Sequence, residues 1–156
     1  MLITIEKVII LKTVSIFSSI SDETLAQLAQ VMTEVELDTG EQLFAKGDLG
    51  DDMFVIINGE VYVHDGDHTL NHLGEKDIFG EMAVLDPEPR VASVTATQPT
   101  RMLRLDRQSL YELMDKHTEA AHGIIKVLCG HLRARVADIN ALKAELNALK
   151  SPTAVV

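Results

Sequence analysis

Phe79-Gly80-Glu81-Met82-Ala83-Val84-Leu85-Asp86-Pro87-Glu88-Pro89-Arg90-Val91-Ala92-Ser93-Val94 is the stretch that decides how the rest of the chain is read. Its first half reads as a short helical turn opened by a glycine. An acidic, proline-broken loop follows, and then a strand that begins with an arginine. A glycine before a helical turn lets backbone come close to a ligand, and the free N–H groups of the turn attract an anion. Arg90 returns with a planar, permanently charged fork suited to phosphate oxygens. Glu81 would repel a phosphate, so beside one it must face something else, such as ribose hydroxyls. One site would then hold a sugar and a phosphate together. On spacing alone a plain Glu81–Arg90 salt bridge on a small β domain stands beside this reading.

Outward from this stretch the hydrophobic period is two. Short strands are expected at Val35–Leu37, Gln42–Ala45, Met53–Ile57, Glu60–His64, Thr69–Leu73, Asp77–Phe79, Ala92–Thr97 and Met102–Leu105. Between them lie turn signals such as Thr39-Gly40, Lys46-Gly47-Asp48, Asn58-Gly59 and Asp65-Gly66. The pattern predicts mainly β structure with flanking helices: an antiparallel β-roll over 35–106, with the stretch 79–94 interrupting its strands. Residues 1–34 form an N-terminal helical segment. Ile5, Val8, Ile9 and Lys12 are expected along one face of its opening helix, and Ser21 caps a second helix carrying Leu25, Leu28, Ala29 and Met32.

After the roll, residues 107–150 read as helix, with Asp106 as a cap and a long final helix from about Glu119 to Lys150. Ile125, Leu132, Ile139 and Leu146 fall at one heptad position, and Leu128, Arg135, Leu142 and Leu149 at the other. Asp138 and Glu145 are placed to meet Lys143 and Lys150 of a partner helix, so a parallel homodimer through this helix is expected. Folding back onto the roll is the competing reading for its first half, through Leu128. Ser151-Pro152 stops the helix and leaves 151–156 as a tail.

A chain of 156 residues with 46% hydrophobic and 24% charged residues has globular composition. The net charge of −10 argues against direct nucleic-acid binding, which needs a basic face. Cys129 is the single cysteine, which excludes an intrachain disulfide and suits a reduced, cytoplasmic setting. The apolar start is interrupted by Glu6, Lys7 and Lys12 and falls short of the roughly 20 residues a membrane span requires. Its apolarity also fits a surface that meets another domain. His64, His68 and His72 straddle a turn, so they need not converge on a metal, and no metal is expected. Asp38, Asp48, Asp51 and Asp52 read as turn-capping acids. No nucleophile elbow, Walker loop or metalloprotease helix is present, and no enzyme activity is expected.

The stretch from Phe79 resembles the phosphate-binding cassette of the cyclic-nucleotide-binding domain family, with Phe79, Gly80, Glu81, Ala83, Arg90, Ala92 and Val94 matching its pattern. The likeness extends over about a hundred residues, through Gly40, Leu43, Gly47, Asp48, Phe54, Ile56, Gly59, Val61, Leu73, Gly74 and Leu105-Asp106-Arg107. It implies that Glu81 takes the ribose 2′-hydroxyl, while Arg90 and the amides of Met82 and Ala83 take the cyclic phosphate. Val91, where a threonine hydroxyl would favour guanine, tilts the expected ligand from cGMP toward cAMP. Gly80, Glu81, Met82, Ala83, Arg90, Val91 and Ala92 are thus the expected ligand-binding residues. The family's long C-terminal helix lids the site, which adds Arg135 as a residue stacking on the base. Register control in a dimer is its alternative role. The resemblance implies a sensory module that moves this helix, with Phe79 and Leu85 giving way beside the cassette. Its output passes to an effector domain or partner protein, or the chain is a piece of a larger regulated protein. A roll that has lost its ligand and serves as a dimerisation or interaction module remains a second reading. A cupin-like barrel is a third, and the lack of clustered His and carboxylate ligands speaks against it.

Overall fold

The computed structural model describes residues 1–150, so the expected tail at 151–156 lies outside the described residues. Helix α1 (Thr4–Lys12) leads through a 3-10 turn at Ser15–Phe17 into α2 (Asp22–Val31). Strands β1 (Thr33–Leu37), β2 (Gln42–Phe44), β3 (Asp52–Asn58), β4 (Val61–Asp65), β5 (His68–Leu73) and β6 (Ile78–Phe79) follow. A short helix α3 (Glu81–Leu85) separates them from β7 (Ser93–Ala96) and β8 (Thr100–Asp106). The described chain closes with α4 (Arg107–Lys116) and α5 (Thr118–Lys150).

The strands form two antiparallel four-stranded sheets, β1-β8-β3-β6 and β2-β7-β4-β5, packed face to face as the roll. The first sheet is covered on both sides. Phe54, Ile56 and Met102 point between the sheets with Val61, Phe79, Val94 and Ala96, while Met53, Val55, Leu103 and Leu105 point into a second core built with the helices. This double burial explains why Met53 to Ile57 is an unbroken apolar run rather than an alternating one.

The helices stand where the sequence puts them, but α1 and α5 turn inward faces that differ from those expected. Ser21 caps α2 by accepting from the Thr24 N–H at 3.3 Å, and Leu25, Leu28, Ala29 and Met32 are buried. Asp106 caps α4 the same way, accepting from the Ser109 N–H at 2.9 Å. In α1, however, Ile5 and Ile9 are exposed, and the inward face is Val8 and Leu11. The rotation of α1 follows its polar anchors. Lys7 Nζ donates to the Met32 carbonyl at 3.2 Å, completing the C-terminus of α2, and Lys12 Nζ donates to the Ile20 carbonyl at 2.6 Å.

Helix α5 folds back onto the body of the protein through Leu128, as the competing reading allowed, but with a face that only partly coincides with the heptad seam. Ala120 and Ile124 are buried, and Val127 and Leu128 pack on the helical core, while Ile125 is exposed. The contact is set by Gly123, where a Cβ would lie 3.0 Å from the Ile16 Cα. Beyond it Leu132, Val136, Ile139, Leu142, Leu146 and Leu149 form an exposed apolar stripe. Among the described residues, no helix is long and apolar enough to cross a membrane.

Candidate functional site

The cassette is anchored where β3 begins. Phe54 of β3 pairs with Phe79 of β6 in register, and their rings stack at 5.1 Å with the Phe44 ring 6.2 Å from each. The expected role of Phe79 as a yielding contact beside the cassette is not what this packing favours, since its ring belongs to the interior of the roll. Leu85, at the other end of α3, packs on the helical core that also receives Val127 and Leu128 of α5.

Gly80 follows β6 in the left-handed conformation, φ 82°, and a Cβ there would lie 2.9 Å from the Asp52 carbonyl oxygen. Glycine is therefore required both by backbone conformation and by the closeness of β3. The first N–H groups of α3 have no partner within the helix, as at any helix start. Ala83 is buried, whereas the Met82 side chain is exposed.

Arg90 is only 6% exposed. Its backbone is pinned on both sides, its N–H donating to the Asp48 carbonyl and its own carbonyl accepting from the Gly47 N–H, each at 2.8 Å. The turn at Lys46-Gly47-Asp48 thus fixes where the arginine leaves the backbone. Its guanidinium lies 4.2 Å over the Phe44 ring, and Nη2 pairs with the Asp52 carboxylate at 2.6 Å. Nη2 also donates to the Asp52 carbonyl at 3.0 Å, and Nη1 donates to the Gly80 carbonyl at 3.3 Å. The cation therefore sits at the opening of α3, against the Gly80 carbonyl.

Glu81 and Arg90 do not form the salt bridge that their spacing also allowed. Arg90 pairs with Asp52, and Glu81, 5% exposed, approaches His131 of α5, with Oε1 3.3 Å from Nδ1. Val91 is exposed beside Arg90, and Ala92 is buried. Arg135 is not brought to this group: it is exposed, and its Nε pairs with Asp138 one turn along α5 at 3.0 Å. The side chain that α5 extends toward the cassette is His131, one turn earlier.

Three contributors were not identified from the sequence. Asp52 read as a turn acid, yet it bridges Arg90 and Arg104, the latter at 3.5 Å. Gly50 is where a Cβ would fall 2.6 Å from Arg90 Nη2, so the guanidinium lies against bare backbone. His131 carried no local signal beyond its place on α5.

The three histidines of the β4–β5 hairpin are separate. Nε2 of His64 lies 2.8 Å from the Thr95 hydroxyl and its Nδ1 2.9 Å from the Gly66 carbonyl, His72 faces Glu60 at 3.1 Å, and His68 is exposed. No group of three or more potential metal ligands occurs among the described residues.

Comparison with known proteins bears on this geometry. Residues 34–117, more than half of the chain, match the family model "Cyclic nucleotide-binding domain". The CRP-like cAMP-activated global transcriptional regulator of Mycobacterium tuberculosis is 31% identical over 129 residues, covering 80% of this chain and 58% of the relative. A cAMP-dependent protein kinase regulatory subunit of Dictyostelium discoideum is 36% identical over 111 residues, covering 66% of this chain and 34% of the relative. Among solved structures, the catabolite activator protein of Thermus thermophilus superposes with a TM-score of 0.74 at 26% identity, covering 83% of this chain and 63% of that one. The chain therefore spans little more than half the length of the first of these relatives and about a third of the second.

Proposed function

We propose, for a chain that belongs to the cyclic-nucleotide-binding domain family, that it is a regulatory module binding a 3′,5′-cyclic purine nucleotide, with cAMP preferred over cGMP. The observation that carries this reading is the convergence at the start of α3. A buried guanidinium reaches the left-handed glycine that opens the helix, and the carboxylate of Glu81 is turned to a different neighbour. Arg90 and the amides of Met82 and Ala83 take the cyclic phosphate. Glu81 takes the ribose 2′-hydroxyl. Gly80 and Ala92 leave room for the backbone, and Val91 offers the base no hydroxyl, which disfavours guanine.

The chain is not itself an enzyme under this proposal. Its output is mechanical: ligand bound at the cassette sets the position of α3, and Leu85 passes it to α5 through the core they share. The exposed stripe from Leu132 to Leu149 makes α5 the surface for a parallel homodimer, and an effector domain or partner protein reads the change. A base contact from Arg135 requires its guanidinium to leave Asp138, with which it pairs here. A second reading, a roll that has lost its ligand and serves as a dimerisation module, draws on the same stripe and on the pairing of Arg90 with Asp52.

Thermal unfolding with cAMP, cGMP and AMP, alongside Arg90→Ala, separates the readings. A ligand at a hundred times its Kd stabilises by about 2.7 kcal/mol, or roughly 5 to 10 °C for a domain of this size. A cAMP shift that vanishes in Arg90→Ala supports the proposal. The absence of any shift with the unmutated protein overturns it in favour of the ligand-free module.

A further inference from the structure

Glu81 is a buried carboxylate, and the titratable side chain placed against it comes from α5. Its side chain is 7% exposed, and His131 Nδ1 of α5 lies 3.3 Å from Oε1. A carboxylate so placed needs a donor or a counter-charge, because burial without one is costly. The imidazole can supply either, as a neutral N–H or as a cation. Its 56% exposed side chain reaches inward from a helix whose later turns are exposed throughout.

We propose that His131 is a positioning residue for ribose recognition, holding Glu81 for the 2′-hydroxyl and tying α5 to the sugar end of the ligand. The inference rests on the cyclic-nucleotide reading of the site. A carboxylate accepts at both oxygens, so His131 at Oε1 leaves Oε2 to accept from the ribose. Drawing the charge of Glu81 toward α5 also lessens its repulsion of the cyclic phosphate held by Arg90. Linkage is reciprocal: if α5 in this position improves the ligand's contact with Glu81, bound ligand favours α5 in this position to the same degree. The arrangement adds a polar route to the apolar one through Leu85, and this route depends on the 2′-hydroxyl.

The experiment is a set of calorimetric titrations with cAMP and with its 2′-deoxy analogue, on the unmutated chain, His131→Ala and His131→Asn. An asparagine amide can place a donor near the position of Nδ1. His131→Ala is expected to weaken cAMP by about 3- to 10-fold, as for a partly exposed polar contact to a carboxylate, and to leave the 2′-deoxy analogue within twofold. His131→Asn is expected to recover part of the loss. Equal weakening of both ligands would assign His131 a general packing role and overturn the inference, as would unchanged cAMP affinity in His131→Ala. If the unmutated chain binds neither ligand, the nucleotide reading itself fails and this inference with it, an outcome distinct from binding that is indifferent to His131.

Discussion

Asp52 stands behind Arg90, its Oδ1 2.6 Å from Nη2, while its second carboxylate oxygen lies 3.5 Å from Nε of Arg104. One acid at the start of β3 thereby holds a buried cation and ties it to β8. Asp52→Ala should leave Arg90 charged, buried and short of a partner, destabilising the ligand-free protein by about 2–4 kcal/mol. A bound cyclic phosphate would restore an anion beside the guanidinium. The cAMP-induced rise in Tm is therefore expected to be larger in Asp52→Ala than in the unmutated chain.

Gly50 gives a separate test of the same arginine. A Cβ there would lie 2.6 Å from Nη2, where the guanidinium is held by Asp52 and the Gly80 carbonyl, so it can yield only by giving up those partners. Gly50→Ala should displace the guanidinium, weakening cAMP by about tenfold or more, with a stability loss of about 1–3 kcal/mol typical of overpacking. Calorimetric titration and thermal unfolding read the two effects separately.

Val91 is 64% exposed, so exchanging it for threonine should leave Tm unchanged. If it lies beside the base, Val91→Thr adds the hydroxyl that a guanine edge lacks here. The ratio of cGMP to cAMP affinity should rise by about tenfold. Competition titration on the two proteins measures it.

Leu142 and Leu146 are exposed on α5 and make no contribution to the core of the single chain. Replacing both with glutamate should therefore spare the fold while turning a dimer into a monomer in sedimentation velocity. A protein that sediments as a monomer before mutation would remove the dimer from the proposal.

Glu34 supplies a pH test of how α1 is held. The Leu2 backbone N–H, first, and the Arg101 guanidinium, 3.1 Å away, keep its carboxyl below the usual carboxylate range. Burial opposes them without reversing the direction. A lowered pKa in the folded state means that this contribution is fully present above the unfolded value and is lost as pH falls through the folded one. The difference in Tm between the unmutated chain and Glu34→Gln should accordingly be largest near neutral pH and close as the solution is acidified.

The parts of this molecule legible in the sequence are the ones encoded locally. Strands alternating with glycine turns, the caps at Ser21 and Asp106, and the cassette from Gly80 to Arg90 each depend on neighbours a few residues away. Asp52, Gly50 and His131 carried no such signal. Asp52 meets Arg90 because β3 pairs with β6 through Phe54 and Phe79, a register set by the whole sheet. The heptad count on α5 identified an apolar stripe but not which face meets the roll, because the packing of Gly123 on Ile16 fixes that rotation. For Arg135 the family likeness implies a base contact and the heptad position register control; here it pairs with Asp138, and His131 is the α5 side chain that reaches the cassette.

The close seat of Gly123 on Ile16 also sets a mechanical scale. From that point to Lys150 the helix extends about 40 Å at 1.5 Å per residue. A tilt of about 10° about the seat would sweep the far end through roughly 7 Å, treating the helix as a straight rod. Movements of only about 1–2 Å where α5 meets the cassette, at Leu128 and His131, would then arrive at the end of α5 as displacements larger than a full helical turn.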